Sequence, residues 1–262
     1  MANSPSGEAL IERIVRVLES FDSKRTALTA AQIARRTGLP SSTAYRLVND
    51  LVAQGLLERD GNRQLTIGLR LWELALRGSP ALGLRQAAQP FMSALNARLG
   101  QHIQLGVLDG SEVLFIERLS APGASANITK IAGRLPVNAS SSGLVLLAWA
   151  RPEQQAAALA GPLPSYTRLT PATPATVRAL LPQIRQSGFA VATGTIEEVS
   201  TGIAVPVLDA AGRCIAALSA VLPREGETPL PTQSAIIAAL KHTAAEISAA
   251  LPSAHGFPFI GK

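Results

Sequence analysis

The chain has 262 residues, of which 47% are hydrophobic, so it can bury cores in one large or two ordinary domains. Its longest apolar runs fall short of the roughly 20 residues that a membrane-spanning helix needs, its amino terminus lacks a signal-peptide pattern, and its single cysteine excludes an intrachain disulfide. We therefore expect a cytoplasmic protein with no membrane span, whose net charge of +6 permits a polyanionic partner.

The first two predicted elements are helices. Apolar residues recur at helical spacing from Leu10 to Phe21, which predicts an amphipathic helix. Thr29 is followed three residues later by Gln32, and this pair matches a capping box that opens a short second helix. Gly38 is expected to end that helix.

A third helix is predicted after a tight turn at residues 38–40, and Ser41 is expected to be its N-cap. Two helices joined by such a turn form the helix-turn-helix arrangement, whose second helix lies in the major groove of DNA. Its outward face carries Ser42, Thr43, Arg46 and Asn49. Arg and Asn side chains can bond base edges bidentately, and hydroxyl groups can bond bases or phosphates, although they can also merely cap the helix.

Basic side chains accumulate around this arrangement. Residues 23–49 contain five Lys or Arg and no Asp or Glu, which suits phosphate groups, although such a run by itself is ordinarily a solvated face. We therefore predict that Thr29, Arg35, Arg36 and Ser41 also contact double-stranded DNA.

The segment after the third helix predicts a two-stranded wing. Apolar residues flank a polar stretch that contains the turn signal Asp60-Gly61. Arg59 and Arg63 lie near the tip, where they can reach a phosphate or the minor groove. An exposed hairpin that carries charge only for solubility is the alternative.

Residues 28–75 resemble the amino-terminal domain of the IclR family of bacterial transcriptional regulators. The likeness includes the Leu-Pro-Ser-Ser-Thr entry to the third helix, the Tyr-Arg-Leu that continues it, and the Gly-Leu-Arg-Leu exit from the wing. The resemblance implies a linker helix over residues 69–77. We therefore predict a winged helix-turn-helix domain over residues 1–68, a linker over 69–80 and a second domain over 81–262.

The second domain is predicted to be α+β. A helical stripe runs from Leu84 towards Gly100. Strand patterns cover residues 102–109, 112–119, 202–208 and 214–222, and helical patterns cover 143–150, 175–186 and 233–251. An antiparallel sheet with helices packed around it is the expected architecture.

This half also resembles the family, whose effector domain has a GAF-like fold. The carrying segments are residues 91–118, the loop GRLPVNASSSG at 133–143, and the strands at 202–219. Unpaired N–H groups and hydroxyls at the start of a helix favour a carboxylate, although the serines can instead be only a cap and loop. The candidate effector contacts are Leu135, Ser140, Ser141, Ser142, Gly143, Thr193, Thr201, Gly202, Ser219 and Val221.

Departures from the family pattern affect the predicted effector. Val221 stands where sensors of small acids carry a serine, and the acidic residue expected near Ala192 or Thr193 is missing. The sequence therefore predicts a small organic acid or an aromatic compound as effector, in a regulator of catabolic genes with repression as the expected sign. The resemblance implies a homodimer or a dimer of dimers, which also suits recognition of two half-sites.

Two other functions stay open at this stage. A small-molecule hydrolase could use a nucleophile within Ser140–Ser142, although no Lys or His stands at catalytic spacing nearby. A DNA-binding protein without an effector is the other alternative. No cofactor motif and no His or Cys pair with zinc spacing is present in the sequence, so we expect no metal, no cofactor and no enzymatic activity.

Overall fold

The computed structural model of the chain describes residues 9–22, 24–120, 131–224 and 232–251. Contacts between residues divide the chain into two compact units, Met1–Ser79 and Pro80–Lys262. The outer ends of the predicted domains, residues 1–8 and 252–262, lie outside the described residues. No helix in the described part is long and apolar enough to cross a bilayer.

The first unit is a winged helix-turn-helix. In chain order its elements are α1 (Leu10–Glu19), α2 (Ala30–Thr37), α3 (Ser41–Ala53), β1 (Leu57–Arg59), β2 (Leu65–Ile67) and α4 (Leu69–Gly78). The two strands pair antiparallel, with Glu58 opposite Thr66. The backbone groups of Leu28 and Leu65 bond each other in both directions, which attaches the wing to the segment before α2.

The core of this unit uses the apolar stripes seen in the sequence. Val17 of α1, Ile33 of α2, and Leu47 and Val48 of α3 are all fully or almost fully buried in one cluster. The capping box at Thr29 is present, and Gly38 adopts the left-handed conformation (φ +66°) that ends α2. Burial of these stripes fixes which face of α3 points outward.

The predicted role of Ser41 as N-cap of α3 is wrong. Pro40 holds that position in an extended conformation (φ −52°, ψ 138°), and no side chain caps the helix. The first helical bond runs from the Ala44 N–H to the Pro40 carbonyl at 3.0 Å. Ser41 is therefore the first residue inside the helix, because the helix begins one residue earlier than the hydroxyl pattern suggested.

The second unit is an α+β domain, as predicted. Its elements are α5 (Pro80–Leu99), β3 (His102–Asp109), β4 (Glu112–Leu119), β5 (Arg134–Pro136), α6 (Ser141–Trp149), α7 (Pro152–Ala158), α8 (Pro174–Ser187), β6 (Ala190–Thr193), β7 (Ser200–Leu208), β8 (Cys214–Pro223) and α9 (Gln233–Ala250). The strands β3 to β8 form one antiparallel sheet in the order β5-β4-β3-β8-β7-β6.

Helices cover both faces of this sheet. One apolar cluster joins α5 and α9 to the sheet through residues such as Met92, Leu218 and Leu240, and a second cluster joins α6 and α8 to the other face. Successive strand side chains point to opposite faces, so Ile103 and Leu105 enter the first cluster while Gln104 lies between them on the other side.

Cys214 is a buried residue of the second cluster. Burial raises the pKa of its thiol to about 12, since the charged thiolate would lose its hydration there. The thiol is therefore protonated and unreactive at neutral pH.

Three elements of the second unit were absent from the sequence prediction. They are the short strands β5 and β6 and the helix α7. The strands have only three and four residues, too few for a pattern of alternation to be recognised. β5 also ends in Pro136. Proline cannot donate a backbone hydrogen bond, so within sheets it is largely confined to edge strands, and β5 is an edge strand of this sheet.

Candidate DNA-binding surface and effector pocket

The outward face of α3 is the first candidate DNA-binding surface. Ser42, Arg46 and Asn49 are exposed, whereas Thr43 is half-buried. The Arg46 side chain is 61% exposed and lies 3.8 Å from the Asp50 carboxylate, one helical turn further along. An exposed pair of this kind contributes little stability, so the guanidinium group is available to a ligand. Tyr45 is also exposed and was missed by the sequence reasoning, which treated it as part of the family pattern only.

The wing and α3 are joined by two of the predicted contact residues. The guanidinium group of Arg59 donates to the Asn49 side-chain oxygen at 2.7 Å. The Asp60 carboxylate accepts from the backbone N–H groups of Asn62 and Gln64, which shapes the turn and leaves Arg63 at its tip with φ +60°. Asn49 and Arg59 therefore form one unit in the structure, whereas Arg63 is separate from it.

The predicted contacts of α2 differ in their surroundings. The Thr29 hydroxyl accepts from the Gln32 N–H at 3.3 Å, so it serves as the helix cap. Arg36 donates to the Asp22 carboxylate at 3.1 Å. The Lys24 N–H, with the charges of Arg25 and Arg36, holds the pKa of Asp22 below its usual value. The exposed Arg35 makes no ion pair among the described residues, and it lines a surface cleft together with Arg25 and Arg36.

The candidate effector pocket lies between the sheet and the start of α6. Gln104 of β3 stands opposite Ser219 of β8, and Gly202 of β7 stands opposite Val221 of β8. This register brings the α6-facing side chains of three strands together beneath the helix. The resulting cavity encloses about 440 Å³ of empty space, including its opening to solvent.

Six of the predicted effector residues line this cavity. They are Leu135, Ser140, Ser141, Ser142, Gly202 and Val221. Ser140 is the N-cap of α6, and its hydroxyl accepts from the Gly143 N–H at 3.0 Å. Gly202 admits the neighbouring serine, because a Cβ at this position would lie 2.8 Å from the Ser141 hydroxyl oxygen.

The other four predicted effector residues lie outside the lining. The Ser219 hydroxyl accepts from the Ser142 hydroxyl at 3.0 Å and so orients it from behind. Thr201 donates to Thr193 across the β6–β7 pair at 3.3 Å. A Cβ on Gly143 would overlap the backbone of Val137, so this glycine permits the close approach of α6 to the preceding loop.

The cavity also has walls that the sequence analysis did not identify. They are Gln104, Phe115, Ala139, Ala192, Thr195, Ile196, Glu197 and Ser200. The alternation along β3 could have identified Gln104. The family pattern's acidic residue near Ala192 or Thr193 is missing from this chain, but a different carboxylate, that of Glu197, lines the cavity. This carboxylate lies in the loop after β6, where spacing along the strand does not predict position.

The hydroxyls of the pocket are held by the loops around it. Thr195 donates to the Ala139 carbonyl at 2.6 Å, and Thr167 donates to the Gly194 carbonyl at 2.6 Å. The buried Asn138 donates to the carbonyls of Pro164 and Pro171. The lining residues Ala139 and Thr195 are thus bonded to each other, and the neighbouring loops are held by further hydrogen bonds. Pre-organisation of this kind reduces the cost of ordering on ligand binding.

The matches to protein families agree with this arrangement in both units. Residues 10–61 match the family model described as the IclR helix-turn-helix domain, and residues 80–249 match the model described as the bacterial transcriptional regulator IclR C-terminal domain. The chain belongs to the IclR family. It is therefore a ligand-responsive transcriptional regulator with a DNA-binding domain and an effector-binding domain, as predicted.

Individual relatives support the same family assignment. The regulator XynR of Escherichia coli is 34% identical over 80% of this chain and 84% of its own length. The Pca regulon regulatory protein of Pseudomonas putida is 28% identical over 80% of this chain and 72% of its own. An IclR homologue from Microbacterium hydrocarbonoxydans, whose crystal structure contains 4-hydroxybenzoate, is 47% identical in sequence to this chain. The match covers 92% of this chain and 98% of the homologue, with a TM-score of 0.84.

Proposed function

We propose that this regulator represses catabolic genes and releases its operator when an aromatic carboxylic acid, of which 4-hydroxybenzoate is the first candidate, enters the pocket beneath α6. The observation that carries the proposal is the chemistry of that pocket. Hydroxyl and N–H groups at the start of α6 suit a carboxylate, and Phe115, Leu135 and Ile196 supply apolar walls for a ring. The homologue that is 47% identical was crystallised with 4-hydroxybenzoate.

Glu197 supplies a way to select a hydroxylated ring. A carboxylate accepts hydrogen bonds but repels a second carboxylate. The acid group of the ligand is therefore expected at the start of α6, and Glu197 is expected to accept a hydrogen bond from a hydroxyl group elsewhere on the ligand. Benzoate lacks the donor, and 4-hydroxybenzoate has it. We therefore expect 4-hydroxybenzoate to bind more tightly than benzoate.

Calorimetric titration of both acids tests this selection. The Glu197→Ala variant should lose most of the preference for 4-hydroxybenzoate, because the group that rewards the hydroxyl is gone. Glu198→Ala is the matched control, since Glu198 is exposed and outside the lining. Equal affinity of the unmodified protein for both acids would contradict the proposed selection. If neither acid binds, the proposed effector class is contradicted.

The DNA contacts are proposed for the outward face of α3 and the wing, with Arg46 as the base-reading residue. Arg46→Ala should then weaken binding to the operator by about 1–3 kcal/mol, as for the loss of a bidentate base contact. The measurement compares operator with random duplex across a salt series. An equal loss on both duplexes would instead make Arg46 a phosphate contact.

The regulator is proposed to act in the cytoplasm as a homodimer or a dimer of dimers. Every residue of the linker helix α4 is at least partly exposed, including Leu69 and Trp72 at 61% and 58%. Exposed apolar side chains of this size favour a protein partner, and a second copy would present two recognition helices to two half-sites. Sedimentation of the Trp72→Glu variant as a monomer would support this assembly.

A hydrolase that uses the serines of the pocket is not supported by the hydrogen bonding. Ser140 caps α6, and Ser142 donates to another serine. None of the residues that line the cavity is a His or a Lys, which a serine nucleophile ordinarily requires as its base. The relatives described above are regulators.

A further inference from the structure

A second cleft lies at the other end of α6, on the far side from the effector pocket. It encloses about 760 Å³ of empty space, including its opening to solvent, and is lined by Trp149, Arg151, Arg185, Gly212, Arg213, Cys214 and Ile215. None of these residues lines the effector pocket. Helix α6 contributes Ser141 to the effector pocket and Trp149 to the edge of the second cleft. These two residues are separated by about 12 Å along the helix axis, since an α-helix rises about 1.5 Å per residue.

Three guanidinium groups from different elements converge on this cleft. Arg151 precedes α7, Arg185 lies in the last turn of α8, and Arg213 lies in the turn between β7 and β8. Separate parts of the fold therefore bring the same chemical group to one place. A single basic stretch of sequence, which is ordinarily a solvated surface, does not explain this convergence.

Two of the three arginines are already held in position. Arg185 donates to the Ala148 carbonyl at 3.0 Å and lies over the Trp149 ring, 5.5 Å from its centre. Arg213 donates to the Asp209 carboxylate from Nε at 2.8 Å and forms an ion pair with it through Nη2 at 2.7 Å. Arg185 and Arg213 both keep further N–H groups free for a ligand, since each guanidinium group has five.

The charges in the cleft are not balanced. Asp209 is the only carboxylate that pairs with these arginines among the residues the structure describes, so three positive charges face one negative charge. Arg151 makes no ion pair in the same part of the chain, and Glu153 of α7 is the next acidic side chain along the sequence. An excess of two positive charges suits a multiply charged anion such as a phosphoryl group.

We propose that this cleft is a second ligand site, which binds the phosphoryl group of a small phosphorylated metabolite. Planar guanidinium groups bind phosphate oxygens through paired hydrogen bonds, and those of Arg185 and Arg213 are pre-positioned. The cleft shares no lining residue with the effector pocket or with the DNA-binding unit, so the proposal stands apart from the proposed function.

Calorimetric titration of the full-length protein with pyrophosphate, at constant ionic strength, tests the proposal. We expect saturable binding that Arg151→Ala weakens by about tenfold, the loss of one charge-assisted hydrogen bond. Arg151 is exposed and pairs with no carboxylate in the described chain, so its removal should leave the thermal unfolding temperature unchanged. Arg178→Ala is the matched control, because this exposed arginine of α8 does not line the cleft.

Fluorescence locates the bound ion. The chain has two tryptophans, and the Trp72→Phe variant keeps only Trp149, at the edge of the cleft. Pyrophosphate should then change the emission of Trp149, and the dissociation constant from this change should equal the one measured by calorimetry. No saturable binding, or equal weakening by Arg151→Ala and Arg178→Ala, would overturn the proposal. Citrate binding as tightly as pyrophosphate would overturn the assignment to a phosphoryl group.

Discussion

At the scale of single residues, the structure gives several small or polar side chains a positional role. Gly143 lets α6 approach the Val137 backbone, Ser140 caps the helix, and Ser142 is oriented by Ser219. The effector pocket therefore depends on where α6 begins as much as on which groups line it. A change of one methyl group at this point should disturb the fold.

Gly143→Ala tests this requirement. The added Cβ would overlap the Val137 carbonyl oxygen and lie 2.7 Å from its carbonyl carbon, and backbone cannot move aside as a flexible side chain can. We expect the free energy of unfolding to fall by about 2 kcal/mol or more, measured by denaturant unfolding. Gly83→Ala is the control, since nothing lies within 4 Å of that position in α5; an equal loss there would contradict the explanation.

At the scale of elements, the wing and the recognition helix act together through the bond between Arg59 and Asn49. An Asn that reads adenine uses both its side-chain oxygen and its side-chain nitrogen. Asn49 must therefore either give up its bond to Arg59 in order to read a base, or keep that bond and position Arg59 on the DNA. A second connection joins the wing to the linker helix, because the Glu58 carboxylate accepts from the Leu69 N–H at 2.9 Å. Both bonds restrict how the wing can move relative to α3 and α4.

A double-mutant cycle distinguishes shared from separate contributions to operator binding. If Asn49 and Arg59 act as one unit, the combined Asn49→Ala and Arg59→Ala variant should lose less affinity than the sum of the single losses, by about 0.5–3 kcal/mol. Arg46→Ala with Arg59→Ala is the control pair, since Arg46 lies beside Asp50 instead. Additive losses for Asn49 and Arg59 would show that each contacts DNA by itself.

At the scale of the whole molecule, regulation requires a free-energy coupling between the two units, Met1–Ser79 and Pro80–Lys262. Such coupling exists only if the effector binds the DNA-bound and free proteins with different affinity. It is also reciprocal, because the same factor must describe both directions. For a repressor that its effector releases from the operator, DNA and effector each weaken the binding of the other.

The reciprocity gives a prediction that needs no knowledge of the coupling route. The factor by which saturating 4-hydroxybenzoate lowers operator affinity should equal the factor by which saturating operator lowers 4-hydroxybenzoate affinity, and typical couplings are roughly 5- to 150-fold. Fluorescence anisotropy of labelled operator and calorimetry of the acid measure the two factors. Tighter operator binding with the acid present would contradict the proposed release of the operator, and no change would exclude this effector.

Several features could be predicted from the sequence for local physical reasons. The stripe that buries Leu47 and Val48 determines which face of α3 points outward, and the capping box at Thr29 marks where α2 begins. Alternation and turn signals located β3, β4, β7 and β8 with little error. These patterns act over a few residues, so the amino-acid order alone reveals them.

The tertiary structure decided which residues share a cavity. Glu197 enters the effector pocket from a loop that hydrogen bonds to Ala139 and Thr167 hold in place, and Ser219, a predicted contact, lies behind Ser142. The three arginines of the second cleft are separated by 34 and 28 positions in the chain. Local patterns specify elements and their buried faces, but contacts between distant elements depend on strand register and packing, and these become visible only in the folded chain.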